Sequence, residues 1–183
     1  GLRKDVFNSP EKYPKLHLSS APFEGAIKIF GVKGRKGGAK RVSGYITSHS
    51  ITDKYKAVEQ YKLFFTTTYS SDAMIPPAHI QAMPGEICTE TFLLIGPFAS
   101  EYEMKCCSSY METTFFRFML SLGHGTMQVN KNVFSLLPMQ DFSEKSDIKW
   151  MLSTDEIDRQ LYRKYGLTPQ EIAFIEEKVK PMQ

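Results

Sequence analysis

Strand signals and helix signals are segregated along this chain, and that order restricts the folds open to it. Residues 26–31, AIKIFG, alternate apolar and polar and predict a strand. Residues 32–41, VKGRKGGAKR, read as a glycine-rich basic turn. Residues 42–46 resume as a short strand, and 53–59 fit a short helix. Residues 61–68, YKLFFTTT, are aromatic and β-branched, as strands are. Residues 69–83 carry Ser-Ser-Asp and Pro-Pro and predict an exposed excursion. Residues 86–95, EICTETFLLI, predict a further strand, stopped by Gly96-Pro97.

Beyond Gly96-Pro97 the period becomes helical. Ser100-Glu101-Tyr102-Glu103 matches a capping box, in which serine accepts from an early amide and glutamate reaches back. The helix it opens is expected to run to about Leu122, with Met111, Phe115, Phe118, Met119 and Leu122 on one apolar face. Gly123 is expected to end it in the left-handed conformation. A polar loop and a short apolar strand ending in Leu-Pro-Met-Gln-Asp-Phe complete the segment 110–142. Ser153-Thr154-Asp155-Glu156 opens another helix, ending at Gly166, with Ile157, Leu161 and Tyr165 on one face. Thr168-Pro169-Gln170-Glu171 opens a third, with proline where its missing amide hydrogen does no harm and Ile172, Ile175 and Val179 along one side. The expected fold is α+β: a twisted, mostly antiparallel sheet packed with a long helix, then a C-terminal helical hairpin. The expected division is a main domain over 1–150 and the hairpin over 151–183.

A chain of 183 residues can bury a real core, and 42% hydrophobic with 23% charged residues is a globular composition. No apolar run is long enough to span a membrane, and no signal peptide opens the chain. The start at Gly1-Leu2, without methionine, predicts further residues upstream. Three cysteines, Cys88, Cys106 and Cys107, argue against a disulfide framework and for a reducing, cytoplasmic setting. Net charge is only +3, but residues 28–62 hold nine basic side chains against Asp53 and Glu59. That segment therefore carries +7 and the remainder −4, an asymmetry that points to a polyanionic partner. A solvated lysine-rich hairpin is the plainer alternative.

Signatures of catalysis are weak. The glycines of Gly31-Val32-Lys33-Gly34 sit among lysines with no helix following, as a strand reversal does and a cofactor turn does not. Ile75-Pro76-Pro77-Ala78 has paired prolines without the polar and aromatic neighbours that hold a flipped adenine. Glu103-Met104-Lys105 has the spelling of a nuclease metal motif but falls in a helix's first turns. His17, His49, His79 and His124 are isolated, and no Gly-x-Ser-x-Gly elbow exists. Cys106 and Cys107 fit a helix core. This chain is not expected to be an enzyme by itself, nor to hold a cofactor or metal.

Several segments resemble, in the same order, the target recognition domain of adenine-specific DNA methyltransferases of bacterial restriction-modification systems, of type II and IIG. Residues 110–119 are similar to that family's Y-x-x-T-K-F-F-R-F-L helix, and 134–142 to its F-x-x-V-P-x-Q-D-F run. Lys40-Arg41, Tyr45-Ile46 and Tyr61-Lys62 fit its basic strands, and residues 84–92 its P-x-x-I-x-T-E-T-Y strand. Residues 150–182 are close to its C-terminal signature, most clearly in LYRKYGLT at 161–168 and IAFIE at 172–176. The matches cover about two-thirds of the chain. The family usually has a basic pair where this chain has Gly123-His124, and T-K-F-F where it has Thr113-Thr114-Phe115-Phe116. Fewer cations there imply fewer phosphate contacts or a different base preference.

The resemblance implies that residues 1–150 recognise double-stranded DNA and that 151–183 pack on them or on an upstream methyltransferase domain. That domain would bind S-adenosylmethionine and methylate a flipped adenine, with or without a fused endonuclease. Phosphate attraction would come from Lys33, Arg35, Lys36, Lys40 and Arg41. Base edges would be read by His124, Thr126, Gln128, Asn130 and Lys131, since Asn and Gln suit adenine and Lys suits guanine. Arg117, mid-helix among aromatics, reads equally as a buried structural arginine; Thr89 and Thr91 read as structural. The acidic side chains of the hairpin, Asp155, Glu156, Asp158, Glu171, Glu176 and Glu177, are expected on its exposed face, where they disfavour DNA. Two other classes stay open: a small metal-dependent nuclease using Glu103 and Lys105, and a protein-interaction domain without nucleic acid.

Overall fold

Alternation in β1 (Ala26–Lys33) organises the first half of the molecule. The computed structural model describes residues 2–34, 39–48, 51, 53, 56–66, 79–123 and 131–179, without the side chains of 131 and 132. The chain divides into two compact units, one comprising 1–65 with 80–99 and the other 66–79 with 100–183. The class is α+β, with two three-stranded sheets and, after residue 100, helices.

In the first unit β1 pairs antiparallel with β2 (Lys40–Thr47) and parallel with β5 (Glu86–Cys88). Directly opposed residues share a face of the sheet. One face presents Ile27, Ile29 and Ile46, covered by Val6, Phe7 and Leu16 from the N-terminal segment. Gly31 belongs to this face, and a methyl group there would overlap the Phe7 ring. Its glycine therefore serves close packing of strand against ring. The opposite face presents Phe30 and Val32, which pack on Phe64, Ala82 and Phe92. Those residues belong to the second sheet, in the order β4 (Ile80–Ala82), β3 (Tyr61–Thr66), β6 (Phe92–Phe98). Ring centroids lie 6.0 Å apart for Phe30–Phe64 and 6.3 Å for Phe64–Phe92.

Several local expectations change. The strand expected over 86–95 is two strands. Between them Thr89 is buried and shares a 2.7 Å hydroxyl hydrogen bond with Thr91. Gly96-Pro97 lies within β6, which continues to Phe98. Part of the expected excursion is β4; its residues 69–78 lie outside the described ones. No helix forms among the described residues of 53–59. Instead the Asp53 carboxylate accepts from the amides of Ala57 and Val58, at 2.9 and 3.0 Å, and closes a turn.

The expected long helix is two, α1 (Glu101–Glu112) and α2 (Thr114–Leu122). Ser100 caps α1 by accepting from Glu103 N. Thr113 makes the break: its hydroxyl donates to Tyr110 O at 2.7 Å and accepts from Phe116 N at 3.1 Å. The two remaining free amides of the first turn, Thr114 and Phe115, donate to the carboxylate oxygens of Asp158, both at 2.9 Å. Asp158 belongs to α4 (Thr154–Lys164) and is buried, which corrects its expected place on the exposed acidic face. Burial pushes its pKa up, against the opposing pull of the two amides and Arg117.

Gly123 ends α2 at φ −85°, not in the left-handed region; a methyl group there would crowd Val133 and Leu136. The apolar run that follows is not a strand but a helical turn, α3 (Lys131–Phe134), which turns Val133 inward. The irregular stretch after it is fastened by Trp150, which contacts Tyr110 and Phe142 at 5.5 and 5.3 Å. Its indole N–H donates to Asp141 O. The helices expected to open at Ser153 and Thr168 do so with full capping boxes, Ser153 with Glu156 on α4 and Thr168 with Glu171 on α5 (Pro169–Lys178), whereas at Ser100, where a capping box is expected, the serine half is what the structure shows. Tyr165 stacks on Phe115 at 5.1 Å. No helix among the described residues is long and apolar enough to cross a membrane.

Asp158→Ala removes the acceptor of two amides and is expected to lower unfolding free energy by about 2–4 kcal/mol, read from denaturant midpoints at constant slope. The capping glutamates add a pH dependence of known sign. Hydrogen bonds from Ser153 hold Glu156, and hydrogen bonds from Thr168 hold Glu171, below the ordinary value of 4.5. A depressed folded-state pKa contributes stability above the ordinary value and loses it as pH falls through the lowered one. Between pH 6 and 3, Glu156→Gln/Glu171→Gln is therefore expected to lose less thermal stability than the wild type.

Candidate nucleic-acid interface

The β1–β2 register sets the geometry of the basic turn. Lys33 lies opposite Lys40, and Val32 opposite Arg41. Lys33 and Lys40 therefore occupy one face of the ribbon, continuing the line of Ile29 and Gly31, whereas Arg41 occupies the other. All three are exposed positions beyond the last core residues of either face. Partial burial nevertheless lowers the Arg41 pKa from its usual value. The ten residues 32–41 contain no acidic side chain, and among the described residues neither Lys33 nor Lys40 has an ion-pair partner. Directly opposed like charges repel, so the pairing of Lys33 with Lys40 is electrostatically unfavourable.

Asn8, which no sequence pattern singled out, holds the neck. Its side-chain oxygen accepts from Gly34 N at 2.8 Å, and its amide nitrogen donates to Val32 O at 3.4 Å. One side chain thus ties both sides of Lys33 to the N-terminal segment. Gly34 sits at φ +104°, where a side chain would be strained, and begins the turn.

Other cations of the basic segment serve the fold. Lys62 is 1% exposed, and its ammonium donates to the carbonyls of Val58, Gln60 and Met83 at 2.8–3.1 Å. Lys28 pairs with Glu86 at 2.8 Å, because parallel pairing of β1 and β5 places them side by side. The +7 of residues 28–62 is therefore not all available to a partner; Lys33 and Lys40, at the ribbon end, are without an ion pair among the described residues.

Arg35, Lys36, His124, Thr126, Gln128 and Asn130 lie outside the described residues, as does the side chain of Lys131 at the start of α3. Of the expected contact residues, the structure brings together Lys33, Lys40 and Arg41. Arg117 is 3% exposed, with its pKa lowered by burial and sustained by Asp158. It lines a cleft of about 580 Å³ in the second unit, together with Asp158, Tyr162 and Glu176.

Catalytic groupings are not assembled among the described residues. No cluster of three His, Cys, Asp or Glu side chains could hold a metal there. Lys105 forms an ion pair with Glu101 at 2.7 Å. His79 shares a hydrogen bond with Ser108, and His17 packs edge-on against Phe23. Cys106 and Cys107 are core residues of α1. Burial pushes the thiols of Cys88 and Cys107 up to about 12 and raises that of Cys106.

Thiols held protonated are poor nucleophiles. At about pH 8 the native chain is expected to react negligibly with a disulfide reagent such as DTNB, whereas the unfolded chain titrates all three cysteines. A fast-reacting native thiol would contradict these environments. Neither a family model, nor a curated protein, nor a solved structure matches the chain.

Proposed function

We propose that the chain is the DNA-reading part of a restriction-modification adenine methyltransferase, binding duplex DNA for an upstream domain that flips and methylates an adenine. The observation that carries this reading is the acid-free basic ribbon tip with Lys33, Lys40 and Arg41 on exposed positions. Such a tip supplies the sequence-independent phosphate attraction on which DNA affinity rests. The ordered run of family-like segments adds the enzyme class. Many of the residues behind that likeness are structural: Trp150, Ile157, Leu161 and Ile175 are core, and Ser153 and Thr168 are caps. They speak for a shared scaffold, while base reading falls to the loop residues His124, Thr126, Gln128, Asn130 and Lys131. S-adenosylmethionine belongs to the upstream domain in this reading, and a fused endonuclease is compatible with it.

Duplex affinity is expected to fall steeply between about 50 and 200 mM salt. Lys36→Gln/Lys40→Gln/Arg41→Gln should weaken binding to all sequences alike. Gln128→Ala should cost about 1–3 kcal/mol on duplexes enriched from a random pool by the wild-type chain, and little on others. Flat salt dependence, or no binding at low salt, would overturn the reading.

A further inference from the structure

We infer that the cleft between the α1–α2 junction, α4 and α5 is a binding site for a small organic cation with several ammonium groups, a linear polyamine, seated on the Tyr162 hydroxyl. The cleft follows from the helix break at Thr113. Asp158 accepts the Thr114 and Phe115 amides and so holds α4 against the start of α2. Asp155, Asp158, Arg159 and Tyr162 recur at helical spacing and share the face of α4 that lines the hollow. Glu112 and Thr114 line it from the junction, and Glu176 lines it from α5.

Two independent observations point to a ligand. Tyr162 lines the cleft and is 4% exposed, and its hydroxyl has no hydrogen-bond partner among the described residues. A buried orphan of this kind costs stability that a bound donor relieves. Burial and the carboxylates of Asp158, Glu176 and Asp155 push its pKa up, so it stays a neutral phenol able to accept from a cation. The second observation is charge. Among the buried lining residues, Arg117 and Asp158 offset each other. At exposed positions Glu112, Asp155 and Glu176 are balanced only by Arg159, and none of these four forms an ion pair among the described residues. The excess of carboxylates disfavours an anion and attracts a cation.

The spread of the carboxylates selects the kind of cation. Among the described residues no three acids converge to hold a metal ion, which needs several oxygens within about 2.0–2.6 Å of one point. The acids instead come from separate elements around a hollow of about 580 Å³, within the range of about 300–1,000 Å³ usual for small-molecule sites. Separated carboxylates suit separated ammonium groups, with the Tyr162 oxygen accepting from one of them.

The full chain, free of nucleic acid, is titrated with spermidine by calorimetry at about 50 mM salt. Saturable one-to-one binding is expected, with butylamine at least about tenfold weaker because only one end can engage. Tyr162→Phe should weaken spermidine binding about tenfold or more, and should leave the melting temperature of the free chain unchanged or raised, since it removes an unsatisfied group. Asp155→Asn and Glu176→Gln should each weaken binding, and Arg159→Gln should strengthen it. Glu24→Gln, an exposed acid of the first unit, should change nothing. Circular dichroism of each variant checks that the fold is kept. Binding that does not saturate, that is unchanged by Tyr162→Phe, or that magnesium matches at equal ionic strength overturns the site. A lower melting temperature for Tyr162→Phe shows the hydroxyl to be bonded within the fold and removes the ground for it. Inorganic phosphate binding more tightly than spermidine overturns the cation and assigns the cleft to an anion.

Discussion

The Asp158 carboxylate organises the helical unit. It accepts the amides of Thr114 and Phe115, and so supplies from α4 what an N-terminal turn lacks internally. Because those amides are provided for, α2 can begin immediately after α1 ends, with Thr113 serving as the last cap of one and the first of the other. The new helix direction puts Phe115 against Tyr165 and Phe116 against Tyr110. Burial of Arg117 beside the same carboxylate follows from this placement: a guanidinium is tolerated inside a fold only near a counter-charge. One long-range polar interaction therefore sets a helix boundary, an aromatic stack and the environment of a buried cation.

In the first unit a comparable constraint is steric. β1 is covered on both faces, by Phe7 on one side and by the sheet of Phe64 and Phe92 on the other. A strand so enclosed has little freedom of register, because a shift by one residue would exchange Ile29 for Phe30 in two differently shaped cores. Register in turn decides which cations stand opposite each other at the far end of the ribbon. The apolar core thus places Lys33, Lys40 and Arg41 through the register of the strands that carry them.

The distribution of charge has two physical sources. Lys62 and Lys28 are satisfied internally, by three carbonyls and by Glu86, and contribute to cohesion. Lys33 and Lys40 at the ribbon end have no ion-pair partner among the described residues. From sequence these lysines look alike. Their difference is solvation: a buried ammonium must be compensated where it sits, whereas an exposed pair can leave its attraction for a ligand.

Local chemistry was legible wherever neighbours in sequence carry it. The capping boxes at Ser153 and Thr168, the strand periodicity of residues 26–31 and the core faces of α4 and α5 all rest on contacts within a few residues, and so did the α+β class. Long-range pairing was not legible. The helix break at Thr113 depends on the Asp158 carboxylate, 44 residues from the Thr114 amide it accepts, and the role of Asn8 on a turn 26 residues away. Gly123 looked like a left-handed stop and proves to be a packing site against Val133 and Leu136. By itself the sequence determined where charge and helix-forming potential lie, because these are properties of composition and spacing. Only the tertiary structure decided which charges are neutralised, which helix is interrupted and which cations share a face, because each depends on partners that folding alone brings within bonding distance.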